Sequence, residues 1–217
     1  MIQRFSALRD QLSDSTLQLI IVNDGSIRGV ASDSELLLQE ALGPVQWISY
    51  PDNRGKGFAL RKGLEQAQAP IVIYTDIDFP YTTGSMEAIV RVLQRGDVDL
   101  SVGVRDDTYY QKIPASRKRI SKLLRTMNRF LFGLTIADTQ CGLKGMNHLG
   151  RQLFLETTID RYLFDLELVM QASRDKSISM IPVTVHLQEG VELSPVQSGL
   201  LFKELKNFAR LFVKRWF

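Results

Sequence analysis

The sequence predicts an α/β domain built on a mostly parallel sheet flanked by helices. Three observations predict it. Ile/Val-rich runs at 17–22, 45–50 and 71–78 alternate with segments at helical spacing. Turn residues and acids gather after these runs, as in Asn23-Asp24-Gly25-Ser26 and Asp76-Ile77-Asp78. The chain has 217 residues, 44% of them hydrophobic, enough to bury a sizeable core.

Taken in order, Ile2, Phe5, Leu8 and Leu12 recur at helical spacing and mark a short amphipathic helix. Leu17–Val22 is a strand closed by the Asn23–Ser26 turn. Asp33 or Ser34 can cap a helix that ends at Gly43-Pro44. Val45–Tyr50 is a strand, 51–57 a loop, and 58–67 a helix. The run 71–78 is a buried strand closed by Pro80, with Asp76 and Asp78 on one face and Ile77 on the other. A helix at 86–93 and a strand at 98–104 follow. Residues 113–132 form a basic amphipathic helix, and 137–143 a loop or short strand. Leu163–Ala172 is helical, and 178–187 is an edge strand because it holds Pro182. After Pro195 one long amphipathic helix is expected.

Net charge is only +3, but the basic residues are clustered at 105–129 and from 198 onward, a pattern suited to phosphates or an anionic surface. No run of 18 apolar residues and no apolar leader is present. A lone cysteine, Cys141, excludes an internal disulfide and fits a reducing compartment. No nucleic-acid motif is visible, and aromatics are not interleaved with the charges.

Two acids at the end of a buried strand repel unless a cation joins them, so Asp76 and Asp78 suit Mg²⁺ or Mn²⁺ shared with substrate phosphates. Alone, the pair reads equally as two solvated acids. Asn53-Arg54-Gly55-Lys56-Gly57 offers flexible backbone and two cations for phosphate, but it has neither the Walker A nor the Rossmann spacing. Asp24 suits a plain Asx turn or a contact with a nucleotide's base or ribose. Arg105 and Arg117 suit a diphosphate or a lipid phosphate, or are surface charges. Cys141 reads as a small buried residue, since no histidine is near it in sequence.

In this order, VNDGS at 22–26, NRGKGFALRKGL at 53–64, TDID at 75–78, VGVR at 102–105, Arg117 with Ser121 and Asn128, DTQCGLK at 138–144 and LFDLELVMQASR at 163–174 resemble the inverting family-2 glycosyltransferases. The closest likeness is to the polyprenyl- or dolichyl-phosphate branch. The resemblance implies a GT-A fold over 1–190, with an amphipathic helix at 191–217. It implies donor contacts by Asp24, Asn53, Lys56, Asp76, Arg105 and Asp138, and metal binding by Asp76 and Asp78. Arg117 would clamp phosphate, and Asp165 or Glu167 would be the base if the acceptor is a hydroxyl. The implied reaction moves a hexose from a UDP- or GDP-sugar to a lipid phosphate at the cytoplasmic face of the membrane. Alternatives are a saccharide or other hydroxyl acceptor, and a non-catalytic nucleotide-sugar-binding domain.

The chain departs from the family in two places. Relatives open with an apolar strand that lies between the VNDGS and TDID strands, whereas Met1 falls in the helix that follows. We expect a truncated reading, two strands without their shared partner, and an incomplete nucleotide pocket. The second departure is the tail. Ser198–Phe217 would form a helix about 30 Å long, with five cations on one side and Leu, Phe and Trp on the other. It reads as interfacial, or as packed on the domain or on a second subunit.

Overall fold

The computed structural model describes residues 1–27, 34–106, 109, 115–136, 138–191, 204 and 207–213, with only the backbone of 115–117 and 120. The elements run α1 (Ile2–Gln11), β1 (Leu19–Asp24), α2 (Ser34–Leu42), β2 (Val45–Tyr50), α3 (Lys56–Gln66), β3 (Val72–Tyr74) and α4 (Thr83–Gln94). They continue with β4 (Leu100–Arg105), α5 (Ala115–Phe132), β5 (Lys144–Met146), α6 (His148–Leu155), α7 (Phe164–Arg174) and β6 (Met180–Val185). The expected cap at Asp33 lies outside the described residues. So does most of the expected tail helix, of which 207–213 is helical.

The strands form two sheets. β1 pairs in parallel with β2, while the second sheet runs β3-β5-β4-β6. β4 and β6 are parallel, but β5 is antiparallel to both β3 and β4, so this sheet is mixed. β6 is an edge strand and carries Pro182, as the sequence predicts. β1 and β3 do not pair with each other, and each keeps an edge without a strand partner among the described residues. This is the interruption expected from the sequence.

Alternation along the strands divides the core. Val72 and Tyr74 of β3, Leu100 and Val102 of β4 and Met146 of β5 face one cluster, with Leu153 and Phe154 of α6, Phe164 and Leu168 of α7 and Phe132 at the end of α5. Ile73, Ile181, Val183 and Val185 face the other, where Phe5 of α1 and Met86, Ile89 and Leu93 of α4 pack. Phe5, Leu8 and Leu12 bury the apolar face of the first helix, each contributing about 1.5–3 kcal/mol. Thr82 caps α4 by accepting from the Ser85 amide, and Asn147 caps α6 by accepting from the Leu149 and Gly150 amides.

The strand through Asp76 is shorter than the alternation implied. β3 ends at Tyr74, and the backbone then turns, with the Phe79 amide donating to the Asp76 carbonyl at 2.9 Å. Phe79 takes a positive φ of 48°. Ile77 is therefore 59% exposed rather than opposed to two acids across a sheet. Arg4 of α1 holds this turn by donating to the carbonyls of Asp78 and Phe79, and the Phe5 ring packs edge-on to Phe79.

Candidate active site

The carboxyl ends of β1, β3 and β4 and the loop before β5 converge, as expected for an α/β sheet. At the end of β1 the Asp24 carboxylate is a hub. It accepts from the backbone amides of Arg54 and Gly55, each at 2.8 Å, and from Asn53 Nδ2 at 3.0 Å. Gly25, at φ 68°, lets the two loops touch; a Cβ there would lie 2.5 Å from the Asn53 nitrogen. Asp24 and Asn53 thus shape the loop that leads into α3. Burial and the adjacent Asp24 carboxylate push the Tyr50 phenol well above its ordinary pKa.

Lys56, the first residue of α3, places Nζ 2.5 Å from Asp76 Oδ1. Gly142 presses against the same carboxylate; a Cβ there would meet Asp76 Oδ2 at 2.7 Å. Tyr81 fixes the Gly142 backbone, its hydroxyl accepting from the Gly142 amide at 3.0 Å, with the Cys141 thiol 3.3 Å away. Cys141 is fully buried, and burial raises its pKa, so it is a neutral thiol. Asp78 is exposed in the same turn, and no hydrogen bond or ion pair engages its carboxylate among the described residues.

Arg105, at the end of β4, grips Asp138 with a bidentate guanidinium, and its backbone amide donates to the same carboxylate at 2.9 Å. Tyr109 lies against the other side of the guanidinium, 4.6 Å from ring centroid to Cζ. Burial alone would raise the Asp138 carboxyl. The hydrogen bonds and charge of Arg105 outweigh it and hold Asp138 below the ordinary carboxylate value.

Asp165 lies in the first turn of α7 and is buried. Its Oδ1 accepts from Tyr74 OH and from Lys144 Nζ, both at 2.6 Å. Lys144 is fully buried and also donates to the Cys141 carbonyl at 2.7 Å, tying the 138–143 loop to α7. Glu167 points elsewhere. It accepts from the amides of Thr158 and Ile159 at 2.8 and 2.9 Å and from the Thr158 hydroxyl at 3.0 Å.

The structure therefore brings Asp24, Asn53, Lys56, Asp76, Arg105, Asp138 and Asp165 into one connected region. It does not bring Glu167 there, and Asp78 stands at the rim, facing solvent. Arg117 falls in the first turn of α5, and its side chain lies outside the described residues. Sequence reasoning missed Arg4, Tyr81 and Lys144. Lys144 stood inside the quoted DTQCGLK motif. No spacing marked it, because the strand that buries it, β5, is three residues long; its full burial is what demands the carboxylate partner.

Asp76 and Asp78 share one turn and present hard carboxylate oxygens, the donor type that suits a divalent cation, with the Asp76 carboxylate already paired to Lys56. No cluster of three or more His, Cys, Asp or Glu side chains forms a self-sufficient metal cage among the described residues.

The profile of glycosyl transferase family 2 matches residues 2–149. The dolichyl-phosphate beta-glucosyltransferase of Drosophila melanogaster is 30% identical over 206 residues, covering 85% of this chain and 60% of that protein. The chain thus spans about three fifths of the length of the curated relatives it matches. Among solved structures, M. tuberculosis glucosyl-3-phosphoglycerate synthase in complex with UDP aligns over 99% of this chain and 74% of its own, with a TM-score of 0.64 and 18% identity. The same enzyme in complex with Mn²⁺, UDP-glucose and phosphoglyceric acid aligns over 98% of this chain and 72% of its own, with a TM-score of 0.58 and 18% identity. These neighbours share the GT-A fold.

Proposed function

We propose that this chain, which belongs to glycosyl transferase family 2, transfers a hexose from a nucleoside-diphosphate sugar to a polyprenyl phosphate with inversion at the anomeric carbon. UDP-glucose is the first donor to consider, because a solved neighbour carries it and the relatives are named as glucosyltransferases. Glucosyl transfer to a dolichyl-type phosphate follows from the same names.

The observation that carries the acceptor is the occupation of Asp165 and Glu167. A hydroxyl acceptor needs a base. Asp165 is neutralised by a buried lysine, and Glu167 is consumed by two amides and a hydroxyl. A lipid phosphate is already ionised at neutral pH and needs positioning rather than deprotonation.

In this reading the Asp24–Asn53 hub sets the loop against which the nucleoside lies. Lys56 places positive charge at the end of β3, where the diphosphate sits. Arg105 and Asp138 hold the floor of the site, and Arg117 meets acceptor phosphate. Asp76 and Asp78 would hold Mg²⁺ or Mn²⁺, which supplies charge neutralisation for the departing nucleoside diphosphate. An acceptor phosphate oxygen forms the new bond to the anomeric carbon, the bond to the diphosphate oxygen breaks on the opposite face, and the nucleoside diphosphate leaves with the electron pair.

No described helix is long and apolar enough to cross a membrane. The protein would meet its acceptor as a peripheral protein at the cytoplasmic face.

A donor and acceptor matrix tests this reading. UDP-glucose, UDP-galactose and GDP-mannose are offered with Mn²⁺ to dolichyl phosphate, undecaprenyl phosphate and free saccharides. Product should form on a lipid phosphate, with its anomeric configuration inverted by NMR. Product on saccharides alone would overturn the acceptor assignment.

A further inference from the structure

The turn that carries Asp76 and Asp78 has a backbone shape that it would not take alone. Phe79, at φ 48°, is the only non-glycine residue at positive φ among the described residues. Such a conformation persists only where its surroundings over-determine it. Two elements do so here. From α1, Arg4 Nη1 donates to the carbonyls of Asp78 and Phe79, the latter at 3.0 Å, and the Phe5 ring meets the Phe79 ring edge-on at 6.3 Å. From the chain after β6, Gln188 donates its backbone amide to the Pro80 carbonyl at 2.9 Å and its side-chain amide to the Tyr81 carbonyl at 3.0 Å.

Among the described residues, Arg4 alone bonds to the backbone of Asp78. It stands on a firm base. Phe5, Leu8 and Leu12 are buried under α1, while Gln11 bonds to Glu87 of α4 and Asp14, just past α1, to Arg91. Arg4 pairs with no carboxylate among the described residues, so its donors are spent on backbone carbonyls. The Asp78 carboxylate faces solvent from a backbone that is held in place.

We propose that Arg4 is a positioning residue for the divalent cation. Its guanidinium fixes the backbone of 76–79, so that the Asp76 and Asp78 carboxylates are presented together, and it does not touch the ion. This role rests on the reading of Asp76 and Asp78 as the residues that would hold the cation. The sign of the effect separates shape from charge. A guanidinium in this turn repels a cation, so charge alone predicts tighter metal binding when Arg4 is removed. Positioning predicts weaker binding, by about 10-fold, as when a group that orients a metal's ligands is lost.

The test is Mn²⁺ binding to the full chain with saturating UDP and no acceptor, read from the EPR signal of free Mn²⁺. Arg4→Met should weaken binding about 10-fold. Without metal, it should also speed hydrogen exchange at the Phe79 amide, which donates to the Asp76 carbonyl. Arg4→Lys keeps the charge but loses the planar fork, and it should weaken binding in the same direction; it carries the test if Arg4→Met does not fold. Arg9→Met is the matched control. Arg9 lies on the same helix but donates to the Leu42 carbonyl of α2, at 3.1 Å, so its loss should leave Mn²⁺ affinity native. In turnover, Arg4→Met should raise the Mn²⁺ concentration needed for half-maximal rate and retain kcat at saturating Mn²⁺. Unchanged or tighter Mn²⁺ binding in Arg4→Met would overturn the proposal. Equal weakening in Arg9→Met would do the same, because α1 would then only support the fold. A native chain that binds no Mn²⁺ with UDP would overturn this role together with the metal assignment. Failure of transfer to every polyprenyl phosphate, with Arg4-dependent Mn²⁺ binding intact, would strike the acceptor reading and leave this role standing.

Discussion

Lys56 Nζ lies 2.5 Å from Asp76 Oδ1, joining the first residue of α3 to the turn after β3. Two loops twenty residues apart in sequence meet at this pair. The side chains are 29% and 46% exposed, so the pair adds little to stability, no more than about 1 kcal/mol. Its charge is useful instead to a diphosphate at the same place. Lys56→Met should therefore lower transfer roughly 100-fold, with a change in urea-unfolding free energy within about 1 kcal/mol. A variant that unfolds without losing specific activity would place Lys56 in the scaffold instead.

Arg105 and Asp138 should behave in the opposite way. Both side chains are nearly buried, so removing Asp138 strands a mostly buried guanidinium without its carboxylate. Asp138→Ala should cost about 3–5 kcal/mol at neutral pH. The folded Asp138 carboxyl sits below its ordinary value of 3.8. Its contribution is therefore complete above that value and is lost as pH falls through the lower, folded one. Urea titrations of both proteins should show their stability difference shrinking below about pH 4. A difference that stays constant into strong acid would contradict the assignment.

Asp165 and Lys144 form a buried ion pair that orders the loop at 138–143. Asp165→Ala strands a buried ammonium and should destabilise the fold by about 3–5 kcal/mol. Replacing both partners, as Lys144→Met/Asp165→Leu, should recover most of that loss, because apolar side chains of similar volume are often neutral in such sites. A double variant as unstable as Asp165→Ala would show that the pair does more than satisfy itself.

Glu167 should read out in the neighbouring loop. Glu167→Ala frees the amides of Thr158 and Ile159; Ile159 is buried, and leaving its amide unpaired should cost about 1–3 kcal/mol. Hydrogen exchange at those two amides should accelerate ahead of the α7 amides. Uniform acceleration across α7 would mean that Glu167 holds the helix and not the loop.

Much of this architecture was legible in the sequence. Helical spacing gave α1, α4, α5 and α7, and the Ile/Val runs gave β1 and β2, because each element buries one periodic face. β5 was not legible. Lys144-Gly145-Met146 is three residues long with no alternation, and it becomes a strand only because β3 and β4 offer edges on both sides. The length of β3 was misread for a related reason. Ile77 continued an apolar run, but the turn stabilised by Arg4 and the Phe79 backbone takes it out of the sheet. The converging loops followed from the rule that ligands bind beyond strand ends. Which charge meets which did not follow. Arg105 and Asp138 are 33 residues apart, and nothing in spacing pairs them. The occupation of Asp165 by a buried lysine was equally invisible, since it depends on β5.

The most direct test of lipid-phosphate glycosylation is label transfer from UDP-[¹⁴C]glucose to dolichyl phosphate in detergent. It compares the native chain with Asp78→Ala, each with Mn²⁺ and with EDTA. Label in the organic phase for the native chain with Mn²⁺, and in none of the other three reactions, is the predicted result. Organic-phase label that persists in Asp78→Ala or under EDTA would contradict the metal assignment, and no organic-phase label in any reaction would contradict the proposed activity itself.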